Sequence, residues 1–240
     1  MRSHYLPRQW FATVLLFIAP AIIAFHPASV WWWGTGSLIA AVFTIYGYNV
    51  GLHYGFAHRL FHFGRPVELA LIYLSTIAAV ASPISWAVHH SAHHRYTETE
   101  HDPHSPSVLG WRALFIANYR TEKLDPFAVR RLLRDPAHRF VDTDLGFWSV
   151  TLSWPLIMWL SFGMNGIVYL WLLPLWYVLA VAVAFVFCHS GEYDEQSKSR
   201  AINSRLLSIL SLGDGNHLEH HRNMRICGRG TRFFASLIGA

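Results

Sequence analysis

The chain has 240 residues, 53% of them hydrophobic and 14% charged, with a formal net charge of +5. Soluble domains carry roughly 25% charged residues, so this composition excludes an ordinary water-soluble fold. Two cysteines, Cys188 and Cys227, with no C-x-x-C, exclude a disulfide framework and a thiolate metal site.

The charge deficit is concentrated. Residues 9–58 and 145–191 contain no Asp, Glu, Lys or Arg. A bilayer crossing needs about 20 such residues as a helix, so the expected fold is an all-α integral membrane protein, a single domain over 1–240. After a polar lead-in, the first span is expected at 9–25, and HPAS at 26–29 turns the chain. The second span is expected at 30–52, with Trp31, Trp32 and Trp33 where an interfacial aromatic belt belongs. Its far end delivers His53 and His58. Residues 67–88 carry one charge, Glu68, but also Ser75, Thr76, Ser82, Pro83 and Ser85. They are read as a helix in or under the interface, or one that dips in and returns. A single crossing would place His53 and His58 on the opposite face from His90. Residues 89–144 form a cap in which Arg130, Arg131, Arg134 and Arg139 cluster on a helix broken near Asp135-Pro136. That cluster suits lipid headgroups, or a dock for a phosphate-bearing acyl carrier or an acidic electron donor. Two further spans, 147–162 and 167–188, flank a turn at 163–166, and 189–240 completes the cap.

Two basic residues precede the first span, ten lie between the second and third, and seven follow the fourth. None lies in either short turn. The positive-inside bias therefore predicts four transmembrane helices with both termini and the cap on the cytoplasmic side. Basic residues that border apolar spans also account for the net charge without nucleic acid.

The chemistry lies in the histidines. His90, His93 and His94 form H-x-x-H-H, His217, His220 and His221 form a second copy in GDGNHLEHH, and His53 and His58 precede both. On a helix, positions i, i+3 and i+4 share one face, and neutral imidazole is the commonest metal ligand. Imidazole suits iron, zinc and copper alike. Ferritin-like sites need two Glu-x-x-His pairs; only Glu98 and His101 give that spacing, and H-E-x-x-H is absent.

The segments PISWAVHHSAHHRYTETEHDPHSP, GDGNHLEHH and GLHYGFAHRLFHFGRP resemble the integral-membrane fatty acyl desaturases and hydroxylases, most closely the Δ9-type branch. Gly110-Trp111 and LLRDPAHRF at 132–140 are similar too, so the resemblance runs from about 45 to 225. It implies an O₂-dependent desaturase with two iron ions (Fe²⁺), and a first span that is retained rather than cleaved as a signal peptide. Position by position it implies His53, His58, His90, His93, His94, His189, His217, His220 and His221 as ligands. Glu98, Asp102, Asp214 and Glu219 are the carboxylates at hand to orient them.

The implied substrate is a fatty acyl chain on a lipid, coenzyme A or carrier protein. Electrons would come from a separate ferredoxin-like or haem-protein donor, since no haem domain is expected in so short a chain. The implied location is the bacterial inner membrane or the endoplasmic reticulum. A hydroxylase or acetylenase shares the same first hydrogen abstraction. A metal transporter or sensor is disfavoured, because it would need ionisable residues inside its spans.

Two departures from the family pattern stand out. In stearoyl-CoA desaturases an Asn four residues before the histidine that matches His189 assists the site through water; here that position is Phe185. In the first box, His53 and His58 fit a gap-free alignment, whereas AHRLFH reads locally as His58 and His62. Helix geometry prefers the i, i+4 pair, since i, i+5 lies about 140° apart on an α-helix. The gap-free register is favoured. His138 is expected at the surface, and His89, His101 and His104 around the metal ligands.

Overall fold

The computed structural model describes residues 2–78, 81–120 and 124–240, and among these every regular element is helical. Three stretches are long and apolar enough to cross a membrane: Leu6–Phe25, Val30–Ala57 and Asp144–Phe187.

Helix α1 spans Arg2–Phe25. Near its start Arg8 is buried, donating to the carbonyl of Asp142 at 2.7 Å and to Asp144 Oδ1 at 3.0 Å. Helix α2, Val30–Val42, continues without a break as a π-helix over Phe43–Ala57. Most π-helical stretches are single turns; this one runs for 15 residues. Its glycines let α3 (Arg65–Ile77) lie against it. A Cβ on Gly51 would stand 2.8 Å from Ser75 Oγ, and that hydroxyl donates to the Gly47 carbonyl at 2.8 Å.

The segment read as one interfacial helix is two. Helix α3 ends at Ile77, and α4 spans Pro83–Tyr96. Ser82 caps α4 by accepting from Ser85 N at 3.1 Å, with Pro83 preset for the first turn. The return brings the rings of His53 and His90 to 4.6 Å.

The break at Asp135-Pro136 is present. Asp135 accepts from Ala137 N and His138 N and starts α5, Pro136–Asp142. His138 is fully buried, against expectation, edge-on to Phe56 at 4.8 Å with Glu68 Oε1 at 3.4 Å. Helix α6, Asp144–Ile167, is capped by Thr143 and folds back on itself at Gly163. The φ of 59° there is one that L side chains rarely adopt. Past the turn, Trp154 Nε1 donates to Leu170 O at 2.7 Å, a contact no straight helix allows sixteen residues apart. A π-helical turn, Val168–Leu172, leads into α7, Leu173–Phe187, which delivers His189.

Helices α8 (Arg205–Leu210), α9 (His217–Arg222) and α10 (Arg229–Leu237) complete the chain. Asn49 Nδ2 donates to Ser211 O at 2.6 Å, tying the loop before α9 to the π-helix. Helix α10 carries Phe234 to within 6.3 Å of Tyr46.

Candidate metal centre

All nine histidines singled out in the sequence meet at one end of the helices, and they sort into two adjoining groups. In the first, Nε2 atoms follow one another from His58 to His90 (2.7 Å), His94 (3.1 Å), His220 (3.2 Å) and His53 (3.3 Å). In the second, His189 Nε2 lies 2.9 Å from His217 Nε2. There, ligand atoms of His93, His189 and His221 also fall within 4.8 Å of one another. Adjacent residues on α4 (His93, His94) and on α9 (His220, His221) feed opposite groups. The rings of His94 and His221 are 4.4 Å apart.

The π-helix explains the first box. With i→i+5 bonding the turn is wider than in an α-helix, so residues five apart come closer to sharing one face, and His58 N donates to His53 O at 3.1 Å. His53 and His58 therefore face the same cluster. His62 lies beyond the helix and is exposed.

Tautomers follow from partners that only accept. His53 Nδ1–H donates to Asp214 Oδ2 at 3.1 Å, and His220 Nδ1–H donates to the Ile226 carbonyl at 3.1 Å. His93 Nδ1–H donates to both oxygens of Asp102 at 3.0 Å, and His189 Nδ1–H to Glu98 Oε1 at 2.8 Å. In neutral rings the Nε2 lone pairs then face inward. His53 and His220 present lone pairs to each other at 3.3 Å, an arrangement that repels unless a cation lies between them. Two nitrogens at right angles on one ion with ~2.1 Å bonds are about 3.0 Å apart, which falls inside the 2.7–3.3 Å range of this group's successive Nε2 spacings. The Nε2 of His221 is buried and has no hydrogen-bond partner.

Burial, reinforced by neighbouring imidazoles, holds His58, His90, His94, His217 and His221 well below the usual histidine range and takes His220 to about 3. The rings are thus neutral ligands near pH 7. Burial opposes the charges of Glu98 and Asp214, but their hydrogen bonds outweigh it. The Glu98 carboxyl is lowered to about 2 by His189, Ser107 and Ser105, and Asp214 falls below its ordinary range through His53 and Tyr54.

Three of the four expected carboxylates therefore orient histidines. Glu219 instead pairs with Arg222 at the surface. Sequence reasoning missed Tyr54, fully buried, whose hydroxyl donates to Asp214 Oδ1 at 2.6 Å. Only its place beside His53 could have signalled it. Phe185 packs its ring 5.5 Å from His217 and 6.0 Å from Tyr48. Of the flanking histidines, His104 stacks on His93 at 4.3 Å, His89 donates to Ser85 O, and His101 lies further out beside Tyr96.

A cavity of about 820 Å³, its open mouth included, reaches the centre. Its walls include Trp86, Ile116, Ala182, Phe185 and Val186, with His53, His90, His93, His189 and His217 at the metal end.

Fold and centre together define a class: an all-helical protein with apolar helices of membrane length and a buried polyhistidine centre able to hold metal. A family model for fatty acid desaturases matches residues 29–227, and the chain belongs to that family. Delta-9 acyl-lipid desaturase 2 of Arabidopsis thaliana is 29% identical over 73% of this chain and 59% of its own length. An sn-1 stearoyl-lipid 9-desaturase of Anabaena variabilis is 25% identical over 84% of this chain and 76% of its own. An acyl-CoA C20 Delta5-desaturase of Anemone leveillei is 26% identical over 89% and 72%. The chain spans roughly half to two thirds of the length of the Arabidopsis relatives it matches.

Proposed function

We propose that the protein is an O₂-dependent di-iron desaturase that introduces a double bond into a fatty acyl chain, with electrons from a separate ferredoxin-like or haem-protein donor. One observation carries this reading. In a chain of the desaturase family, two groups of inward-facing, neutral imidazoles converge at the end of an apolar cavity. His53, His58, His90, His94 and His220 would hold one iron, and His93, His189, His217 and His221 the other. Iron and O₂ bound there supply an oxidant strong enough for an unactivated methylene. The protein's own part is positional. Asp214, Asp102 and Glu98 fix the tautomer and direction of His53, His93 and His189. Trp86, Phe185, Ala182 and Val186 enclose a hydrocarbon chain and keep water from it.

We read the apolar stretches as four membrane spans, the third stretch contributing two arms that meet at Gly163. The histidine centre then lies on the cytoplasmic side. The ionisable groups of these stretches, Arg8, His53 and Asp144, stand near their ends and not along a transmembrane path, which favours an enzyme over a transporter.

Lipid profiling of a host expressing the chain, against the same host expressing His93→Ala, tests the reading. Unsaturated acyl chains should appear only with the unaltered protein. A hydroxylated product would replace desaturation by the sister reaction, and no new product in an iron-loaded, electron-supplied host would overturn the enzyme.

A further inference from the structure

The basic cluster around Asp135 lies at the rim of the membrane-length helices. On α3 and α6, Tyr73 Oη and Ser153 Oγ are 3.1 Å apart. Arg65 precedes Tyr73 by eight residues and Asp144 precedes Ser153 by nine, about 12 Å and about 13.5 Å along the two axes. Arg65 and Asp144 therefore share one level, and the pairing of Arg8 with Asp144 puts the start of α1 there too. The surface turns apolar immediately inside it. Leu69, one turn along α3 from Arg65 and on the same face, is 43% exposed, and Leu145 is 77% exposed. Such a change from charged to apolar surface marks the headgroup level of a bilayer.

At this level lies an open cleft of about 550 Å³, whose walls include Glu68, Arg131, Leu132, Arg134, Asp135 and His138. Its two carboxylates are already engaged. Arg65 donates to Asp135 at 2.6 and 3.3 Å and to Glu68 Oε2 at 2.9 Å, and Asp135 also accepts from Ala137 N and His138 N. Arg131 and Arg134, three residues apart on the short helix Arg130–Arg134, are exposed. Neither side chain has a hydrogen bond or ion pair among the described residues. We propose that this cleft binds the phosphate of an anionic phospholipid between Arg131 and Arg134. The inference rests on the membrane reading of the apolar stretches and not on the chemistry of the metal centre. Guanidinium groups grip a phosphate through paired hydrogen bonds, and basic pockets at the cytoplasmic ends of membrane helices take lipid headgroups. Arg65, Arg131 and Arg134 set against Glu68 and Asp135 leave one positive charge. That matches a phosphodiester whose headgroup carries no cation of its own. The depth favours a lipid over a soluble acidic protein, because exposed Leu69 and Leu145 continue the surface into the level of the acyl chains. Behind the cleft the buried ring of His138 meets Phe56 edge-on at 4.8 Å, two residues before His58. A bound headgroup thus braces the cap behind the first histidine box.

Native mass spectrometry of the full-length, iron-loaded protein in detergent micelles tests this. The protein is titrated with phosphatidylglycerol or with phosphatidylcholine of the same acyl chains. The parent should hold phosphatidylglycerol more tightly than phosphatidylcholine. At a factor of about five for each arginine beside an anionic lipid, Arg131→Gln/Arg134→Gln should weaken phosphatidylglycerol binding about 30-fold. Its iron content and its unfolding temperature in phosphatidylcholine should equal the parent's. Arg205→Gln/Arg229→Gln removes two exposed charges elsewhere and should leave phosphatidylglycerol binding unchanged. An equal loss in both double variants would mean diffuse attraction and would overturn the site. So would equal binding of the two lipids by the parent. Displacement of phosphatidylglycerol by an equal concentration of inorganic phosphate would make the free anion the ligand and sink the lipid. Unchanged lipid binding in Arg131→Gln/Arg134→Gln, with weakened binding of a plant-type ferredoxin, would give the cleft to a protein partner instead. A chain that stays soluble without detergent would remove the membrane reading, and the inference with it.

Discussion

Replacing His53 tests whether the π-helix sets the register of the first histidine box. His53 Nε2 faces His220 Nε2 at 3.3 Å, and its Nδ1–H holds Asp214, which is 3% exposed. His53→Ala removes one inward lone pair and strands a buried carboxylate whose remaining side-chain partner is Tyr54. Loss of a hydrogen bond to a charged group costs about 1.5–3 kcal/mol. Loss of an orienting partner alone weakens metal binding by about 10–100-fold, and loss of the ligand itself exceeds that, so iron in the first group should fall at least about 100-fold in affinity. His62 is exposed and outside the cluster, and His62→Ala should change stability by no more than about 0.5 kcal/mol. Iron per chain, thermal unfolding and turnover are measured on both variants purified identically. An iron-depleted, inactive His62→Ala beside an active His53→Ala would refute the assignment and the physical account of the π-helix together.

Asp102→Asn and Glu98→Gln should each lower iron affinity in the second group by about 10–100-fold while leaving the first group loaded, which iron titration with Mössbauer quantitation resolves. Gly51→Val puts a branched side chain where a Cβ already lies 2.8 Å from Ser75 Oγ and 2.7 Å from Tyr46 O; it should cost about 1–3 kcal/mol and loosen iron, and an unfolding temperature equal to the parent's would contradict the packing argument. For pH, burial holds His58, His90, His94, His217, His220 and His221 below the ordinary histidine range when folded, so the unfolded chain binds more protons as pH falls. Metal-free protein should hold full stability above about 6.5 and lose it progressively below, down toward about 3 for His220; stability that rises on acidification between those limits would oppose neutral, buried rings. Cysteine labels placed at 26–29 and 163–166 should react from outside the cell and labels near His101 and His217 should not, and exterior reaction at His101 would remove the cytoplasmic assignment.

The apolar runs, the charge asymmetry and the histidine boxes are local properties of composition and spacing, so the sequence by itself determined the helical apolar stretches, the boxes around His90 and His217 and the turn at Gly163, while His189 came from the family resemblance. Burial of charge-free segments and i, i+3, i+4 geometry follow from covalent periodicity and need no knowledge of neighbours. The register of the first box was different. An i, i+5 pair is wrong for an α-helix and right for a π-helix, and nothing local in GLHYGFAH announces the wider turn. Its glycines accommodate the close approach of Ser75 on α3, a contact 24 residues away. Which carboxylates orient which histidines was likewise decided by tertiary structure: Asp214 meets His53 across 161 residues, and Glu98 meets His189 across 91. Glu219, closest in sequence to the last box, turned outward to Arg222. The placement of residues 110–119 also lay beyond the sequence, because their short polar and aromatic run reads as cap until α1 and α7 offer Ala12, Thr13, Phe17 and Leu179 as partners. Periodicity fixes which side chains share a face; only the packed chain fixes what that face meets.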